Sequence, residues 1–148
     1  IGLTPQGWMR HWKEDGRVFV ERWEHARAVL PHAAATVISE EDLLDDGMLA
    51  EYRAWSNILV LTRGPDGCVV FVNDESRHIP APAVDAIELT GAGDTFATAF
   101  FVRLFETDGN AWEAARFANE IAALSVSVDG IVAIRDIIRA NRSSTRGD

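Results

Sequence analysis

A mixed α/β fold with a mostly parallel sheet and a hairpin at one edge is predicted by three observations. Strand-like apolar runs alternate with helical stretches through the first half of the chain. The run Asn57-Ile58-Leu59-Val60-Leu61-Thr62 is apolar without alternation, as suits a strand covered on both faces. Two turn-forming clusters, Arg63-Gly64-Pro65-Asp66-Gly67 and Asn73-Asp74-Glu75-Ser76, bracket the β-prone run Cys68-Val69-Val70-Phe71-Val72, which is the pattern of an edge hairpin.

Each element has a local reason. Ile1-Gly2-Leu3-Thr4-Pro5 reads as the end of a buried strand entering a turn, and the absence of an initiator methionine is expected of a cut through a larger protein. Residues 10–15 are polar and aromatic. Over 18–30, Val18, Trp23, Ala26 and Leu30 recur at helical spacing, which predicts a helix closed by Pro31. The short run Ala35-Thr36-Val37-Ile38 predicts a strand. Ser39 is a good N-cap and Glu40, Glu41 and Asp42 suit a first turn, so that strand is expected to feed a helix at Ser39 that continues over 42–55.

Beyond the hairpin, residues 81–89 are extended and proline-marked. A helix over 94–105 is apolar on almost every face and is expected to be deeply buried. Thr107-Asp108-Gly109-Asn110 ends it. A second helix is expected over 111–128, with Phe117, Ile121, Leu124 and Val128 on one stripe and Asn119 and Glu120 elsewhere on its surface. Gly130 breaks that helix, residues 131–134 suit a short strand, and 141–148 form a polar, frayed tail in which Arg146-Gly147-Asp148 reads as chance.

Composition narrows the function. The 148 residues suit one domain with a sizeable core. A net charge of −9 argues against a nucleic-acid partner or an anionic membrane surface, so any bound phosphate must be held locally. Cys68 is the single cysteine, which excludes an internal disulfide and a cysteine zinc site and fits a cytoplasmic protein. His11, His25, His32 and His78 show no metal-ligand spacing. The five tryptophans read as core or rim packing.

The most informative stretch is Glu88-Leu89-Thr90-Gly91-Ala92-Gly93-Asp94-Thr95-Phe96. Two glycines and an acid stand before a long apolar helix, so backbone N–H groups and the helix dipole converge on one anion-binding point. A Walker-type phosphate loop is absent, because it ends in Gly-Lys-Ser/Thr and the only lysine is Lys13. A dinucleotide fingerprint needs a third small residue where Phe96 stands. A nucleophile elbow needs serine where Ala92 stands. In isolation, the remaining Gly-Ala-Gly-Asp turn suits a plain helix cap about as well as an anion site.

That turn resembles the C-terminal signature of the ribokinase, or PfkB-type, family of carbohydrate kinases, Asp-Thr-x-Gly-Ala-Gly-Asp-x-Phe. Thr62-Arg63-Gly64-Pro65-Asp66-Gly67 resembles the family's ATP-phosphate loop, Thr-x-Gly-x-x-Gly. Ala118-Asn119 with Ala122-Ala123 resembles the helix bordering the adenine pocket. The resemblance implies a Rossmann-like three-layer fold of ribokinase type, with 1–140 as the nucleotide-binding and base-bearing C-terminal portion of such a kinase. It implies Asp94 as catalytic base, the amides of Gly91, Ala92 and Gly93 as an anion hole for the γ-phosphoryl group, and Thr62, Arg63, Gly64, Gly67 and Asn119 as the ATP site. ATP and Mg²⁺ would be required, the acceptor would be a small sugar, nucleoside or polyol, and a homodimer is compatible with the family.

The chain departs from the family at two places. Ser39 and Asp42 stand where the family has asparagine and, three residues on, glutamate around Mg²⁺, so Asp42 would approach the metal through water. Glu88 replaces the aspartate that, with the carbonyl at Thr90, binds a monovalent cation in some relatives, which bears on K⁺ dependence. Two other readings stay open: a nucleotide-binding or regulatory module of the same fold without turnover, and another anion-binding Rossmann-like domain.

Overall fold

The computed structural model describes residues 1–87 and 89–127. Glu88, Val128, Gly130, the strand expected over 131–134 and the tail expected over 141–148 lie outside the described residues. In chain order the elements are β1 (Gly2–Leu3), β2 (Arg10–Trp12), β3 (Val18–Val20), α1 (Ala26–Val29), β4 (Ala35–Ser39), α2 (Asp46–Trp55), β5 (Ile58–Thr62), β6 (Cys68–Val72), β7 (Glu75–Ile79), α3 (Ala92–Glu106) and α4 (Ala111–Val126).

The main sheet has the order β1-β4-β5-β6-β7. The first three strands are parallel, and β6 and β7 add an antiparallel hairpin at one edge, as expected. Helices cover both faces. On one, α3 and α4 pack Phe96, Phe100, Leu104 and Ile121, with a series of alanines, against Ala35, Val37, Val60, Cys68 and Val70. On the other, Met9, Leu30, Met48 and Tyr52 pack against Ile38, Leu59 and Leu61. The period of two along β4 and β5 thus sends alternate residues into two different cores, which is why these strands read as unbroken apolar runs.

Three expectations require correction. Residues 18–30 are not one helix. Val18–Val20 pairs antiparallel with Arg10–Trp12, in the register Arg10↔Val20 and Trp12↔Val18, and only a short helix follows at Ala26–Val29. The β-branched Val18 and Val20 and the left-handed Gly16 (φ 79°) favour a hairpin, and they outweigh an apolar spacing that happened to fit a helix. Ser39 does cap a turn, accepting from the Glu41 N–H at 3.3 Å, but that turn is a single 3₁₀ segment, Glu40–Asp42. The helix proper starts at Asp46, where Asp45 accepts from the Met48 N–H at 2.7 Å. Finally, α3 is not buried all round, since Val102 is 44% and Phe105 88% exposed.

No helix among the described residues is long and apolar enough to cross a membrane.

Candidate active site

The parallel strands set up a working edge at their carboxyl ends, where open α/β sheets bind ligands. The pairing register places Ser39 beside Thr62, Thr62 beside Cys68, and Cys68 beside Ile79, so one row of residues marks that edge. Ser39 follows Val37 by two positions and Thr62 follows Val60 by two, and both valines pack against α3 and α4. The half-buried Ser39 and Thr62 therefore stand on the α3–α4 side of the sheet. Thr62 Oγ1 donates to the Ile38 carbonyl at 3.3 Å.

The segment before the glycine turn is tied to α4, whose Asn119 reaches the edge row at Ile79: the Ile87 N–H donates to the Val126 carbonyl at 2.7 Å. Gly91 caps α3 in the left-handed region (φ 81°), a conformation that costs glycine little and other residues more. The N–H groups of the first turn, at Ala92, Gly93 and Asp94, have no carbonyl within their own helix to bond. That of Ala92 donates to the Leu89 carbonyl at 3.3 Å. Among the described residues, a side chain placed at Gly91 or Gly93 would meet no atom within 4 Å, so the backbone there is open to an approaching ligand. Asp94 lies in the first turn of α3 and is exposed. Thr90 is exposed in the turn before Gly91.

The loop after β5 divides into two parts. Gly64 (φ 54°) also faces open space. Gly67 (φ 87°) does not: a Cβ there would fall on the Ile79 carbonyl oxygen and within 2.6 Å of the Ala81 nitrogen. The close approach fastens the loop to the end of β7. The Arg63 side chain points elsewhere. Its Nε donates to Glu40 Oε2 at 2.9 Å, which raises the guanidinium pKa. Both residues line an open depression of about 440 Å³ with Leu43, Leu49, Leu61 and Phe71, on the α2 side of the sheet. The structure thus places Arg63 on the face opposite Thr62.

Asn119 is the second expectation the structure relocates. It is 4% exposed rather than on the surface, and its Nδ2 donates to the Ile79 carbonyl at 2.8 Å and the Pro80 carbonyl at 3.3 Å, with Cys68 Sγ at 3.7 Å. It ties α4 to the end of the edge row. The small residues Ala115, Ala118 and Ala122 around it mark the sheet-facing stripe in the sequence, and its polarity concealed that it belongs there. Burial pushes the neighbouring Cys68 thiol up to about 12, an effect the Asn119 amide partly offsets.

Asp42, expected near Mg²⁺, is 1% exposed. Arg10 Nε donates to its Oδ1 at 2.7 Å and Gln6 Nε2 to its Oδ2 at 3.4 Å, so both oxygens are occupied. No group of three or more His, Cys, Asp or Glu that could hold a metal ion occurs among the described residues. The Arg10 and Gln6 partners escaped sequence reading because they lie 32 and 36 positions away, with no periodicity to connect them.

Comparison with known proteins bears on this edge as a whole. The model of the pfkB family of carbohydrate kinases matches residues 30–136. Ribokinase of Bacillus subtilis (strain 168) is 38% identical over 107 residues, which cover 72% of this chain and 35% of that protein. The crystal structure of fructokinase from Vibrio cholerae O395, in a fructose-, ADP- and calcium-bound form, aligns with a TM-score of 0.62 and 25% identity, covering 73% of this chain and 39% of its own. A pyrophosphate-dependent kinase in the ribokinase family, complexed with a pyrophosphate analog and myo-inositol, shares the fold at a TM-score of 0.76 and 18% identity, covering 93% of this chain and 52% of its own. The chain spans about a quarter to a third of the length of the curated relatives it matches.

Proposed function

Since the chain belongs to the pfkB family of carbohydrate kinases, we propose that it forms the donor-binding, base-bearing portion of a phosphotransferase that moves the γ-phosphoryl group of ATP to a hydroxyl of a small sugar, nucleoside or polyol. The observation that carries this reading is the left-handed Gly91 cap, which opens the N-terminus of α3 with Asp94 in its first turn.

The division of labour follows from the chemistry. Phosphoryl transfer passes through a loose transition state, so placement and charge stabilisation matter more than base strength. The open backbone at Gly91 and Gly93 suits the oxygens of the transferred group, and the open Gly64 suits the remaining phosphates. The acceptor oxygen attacks the γ-phosphorus, the bond from that phosphorus to the bridging oxygen breaks, and ADP departs. Asp94 takes the acceptor's hydroxyl proton, while the α3 dipole favours the negative charge beside it. Thr62 borders the same side of the edge. Asn119 acts at a distance by holding Ile79 and Pro80 in place. The Mg²⁺ expected at Asp42 does not fit that residue as it stands, and no step is assigned to it.

One observation favours a second reading of the donor. The fold match to the pyrophosphate-dependent kinase extends over 93% of the chain, against 73% for the fructokinase. A short inorganic donor needs only the phosphate contacts. The test is a transfer assay on the full-length product containing this chain, with radiolabelled ATP or pyrophosphate and a panel of sugars, nucleosides and polyols including myo-inositol. Labelled phosphoester with ATP supports the first reading, and label from pyrophosphate alone supports the second. If neither donor labels any acceptor but nucleotide still raises the melting temperature, the module without turnover is the better description.

A further inference from the structure

Asp42, which closes the 3₁₀ turn after β4, sits in an unusual setting for a metal-associated residue. Arg10 reaches Asp42 Oδ1 through Nε at 2.7 Å and through Nη2 at 2.5 Å, and Gln6 reaches Oδ2. Asp42 keeps 1% exposure. Gln6 lies in the 3₁₀ turn after β1 and Arg10 opens β2, so both partners come from the segment inserted between β1 and α1. The return leg of that segment is tied down as well. The Glu21 N–H donates to the Met9 carbonyl at 2.8 Å, and Arg22 pairs with Asp45 at 3.0 Å and Glu51 at 2.6 Å. The Arg22 pairs are about half exposed and therefore worth little. The Arg10 pair is the one whose loss would leave a buried charge uncompensated.

Mg²⁺ and a guanidinium make different demands on a carboxylate. The cation is octahedral, loses water reluctantly and keeps several waters when bound to protein. Asp42 has no solvent-facing volume for such a shell, whereas the planar fork of Arg10 already lies against it. We propose that Arg10, not Mg²⁺, is the fixed countercharge of Asp42, and that the pair positions the β2–β3 hairpin beside the carboxyl edge of the sheet without adding a metal requirement to the site. This deepens the kinase reading, since it removes one of the residues through which that reading would bring in the metal.

The test compares Asp42→Asn, Arg10→Gln and the double variant in the full-length product containing this chain, by thermal melting with and without millimolar MgCl₂ in the absence of donor. Arg10→Gln is expected to lower Tm by roughly 5–10 °C, because a buried carboxylate is left unpaired. The double variant should recover most of that loss, and Asp42→Asn should leave any Mg²⁺-induced shift as it is in the unaltered protein. The Mg²⁺ half-saturation of transfer should change by less than about twofold in Asp42→Asn, whereas losing even an outer-shell metal partner typically costs about 10- to 100-fold. A Mg²⁺-induced shift that Asp42→Asn abolishes would overturn the proposal, as would an Arg10→Gln variant as stable as the parent. The melting results stand even if no acceptor is ever labelled, so this inference and the kinase reading fail separately.

Discussion

The two faces of the sheet solve different problems at the same edge. On the α3–α4 side the edge is built from main chain and small side chains: the glycine turn, the hydroxyls of Ser39 and Thr62, and an amide that clamps Ile79 and Pro80. On the α1–α2 side it is built from long charged side chains that neutralise one another, Arg10 with Asp42 and Arg63 with Glu40. The anion site proposed here, in a chain of net charge −9, would need local donors, and backbone N–H groups would supply them without the entropy cost of ordering arginines. The paired arginines keep the acids after β4 quiet. Charge in the motif region is therefore not the same as charge in the site.

Substitutions on the two sides should therefore behave differently. The largest loss of stability is expected for Phe100→Ala, about 3–5 kcal/mol by denaturant unfolding, because the ring is fully buried between α3 and the sheet. Gly67→Ala comes next, at about 2–4 kcal/mol, since it combines a positive φ with a collision against the backbone of residues 79–81. Asn119→Ala should cost about 1–3 kcal/mol by leaving two carbonyls short of a donor, and should raise the donor KM more than it lowers kcat. Arg63→Ala is expected to change donor KM least, as its guanidinium is held on the far side by Glu40. A tenfold rise in that KM would show that Arg63 crosses the edge when donor binds, and would erase the distinction between the faces.

The buried thiol gives a pH test of the same packing. Its folded pKa lies above its ordinary value, raised from 9.0 to about 12 by burial, so Cys68 contributes stability that is fully present below the unfolded pKa. That contribution is lost as pH rises from near 9.0 toward about 12, with a slope of at most about 1.4 kcal/mol per pH unit. Cys68→Ala should flatten the alkaline limb of unfolding curves, and the native thiol should resist alkylation until the protein unfolds. Asp45, whose pKa is lowered chiefly by the Met48 N–H, works in the opposite direction. Its contribution is present above the unfolded carboxylate pKa and fades as pH falls through the folded value, which Asp45→Ala would remove.

Local signals carried much of this arrangement into view. The parallel core, the edge hairpin, both long helices and the glycine turn before Asp94 are legible because each depends on neighbours within a few residues: apolar runs, caps and turn formers. The β2–β3 hairpin is hidden because four apolar residues over 18–30 match a helical period while the pairing that decides the matter is with residues 10–12. The side on which a polar residue falls was also hidden. Motif position alone places Asn119, Arg63 and Asp42 at the site, whereas their orientation depends on partners 40, 23 and 32 residues away. Such contacts leave no periodic trace in one sequence.

The kinase reading turns on Asp94 accepting the acceptor's proton at the open end of α3. It is tested most directly by steady-state kinetics of Asp94→Asn in the full-length product, using the acceptor and donor identified by transfer assays. The predicted result is a fall in kcat of about 10²- to 10⁴-fold with donor KM within a few-fold of the parent, the pattern of a lost proton acceptor at an intact binding site. Full transfer by Asp94→Asn would contradict the account.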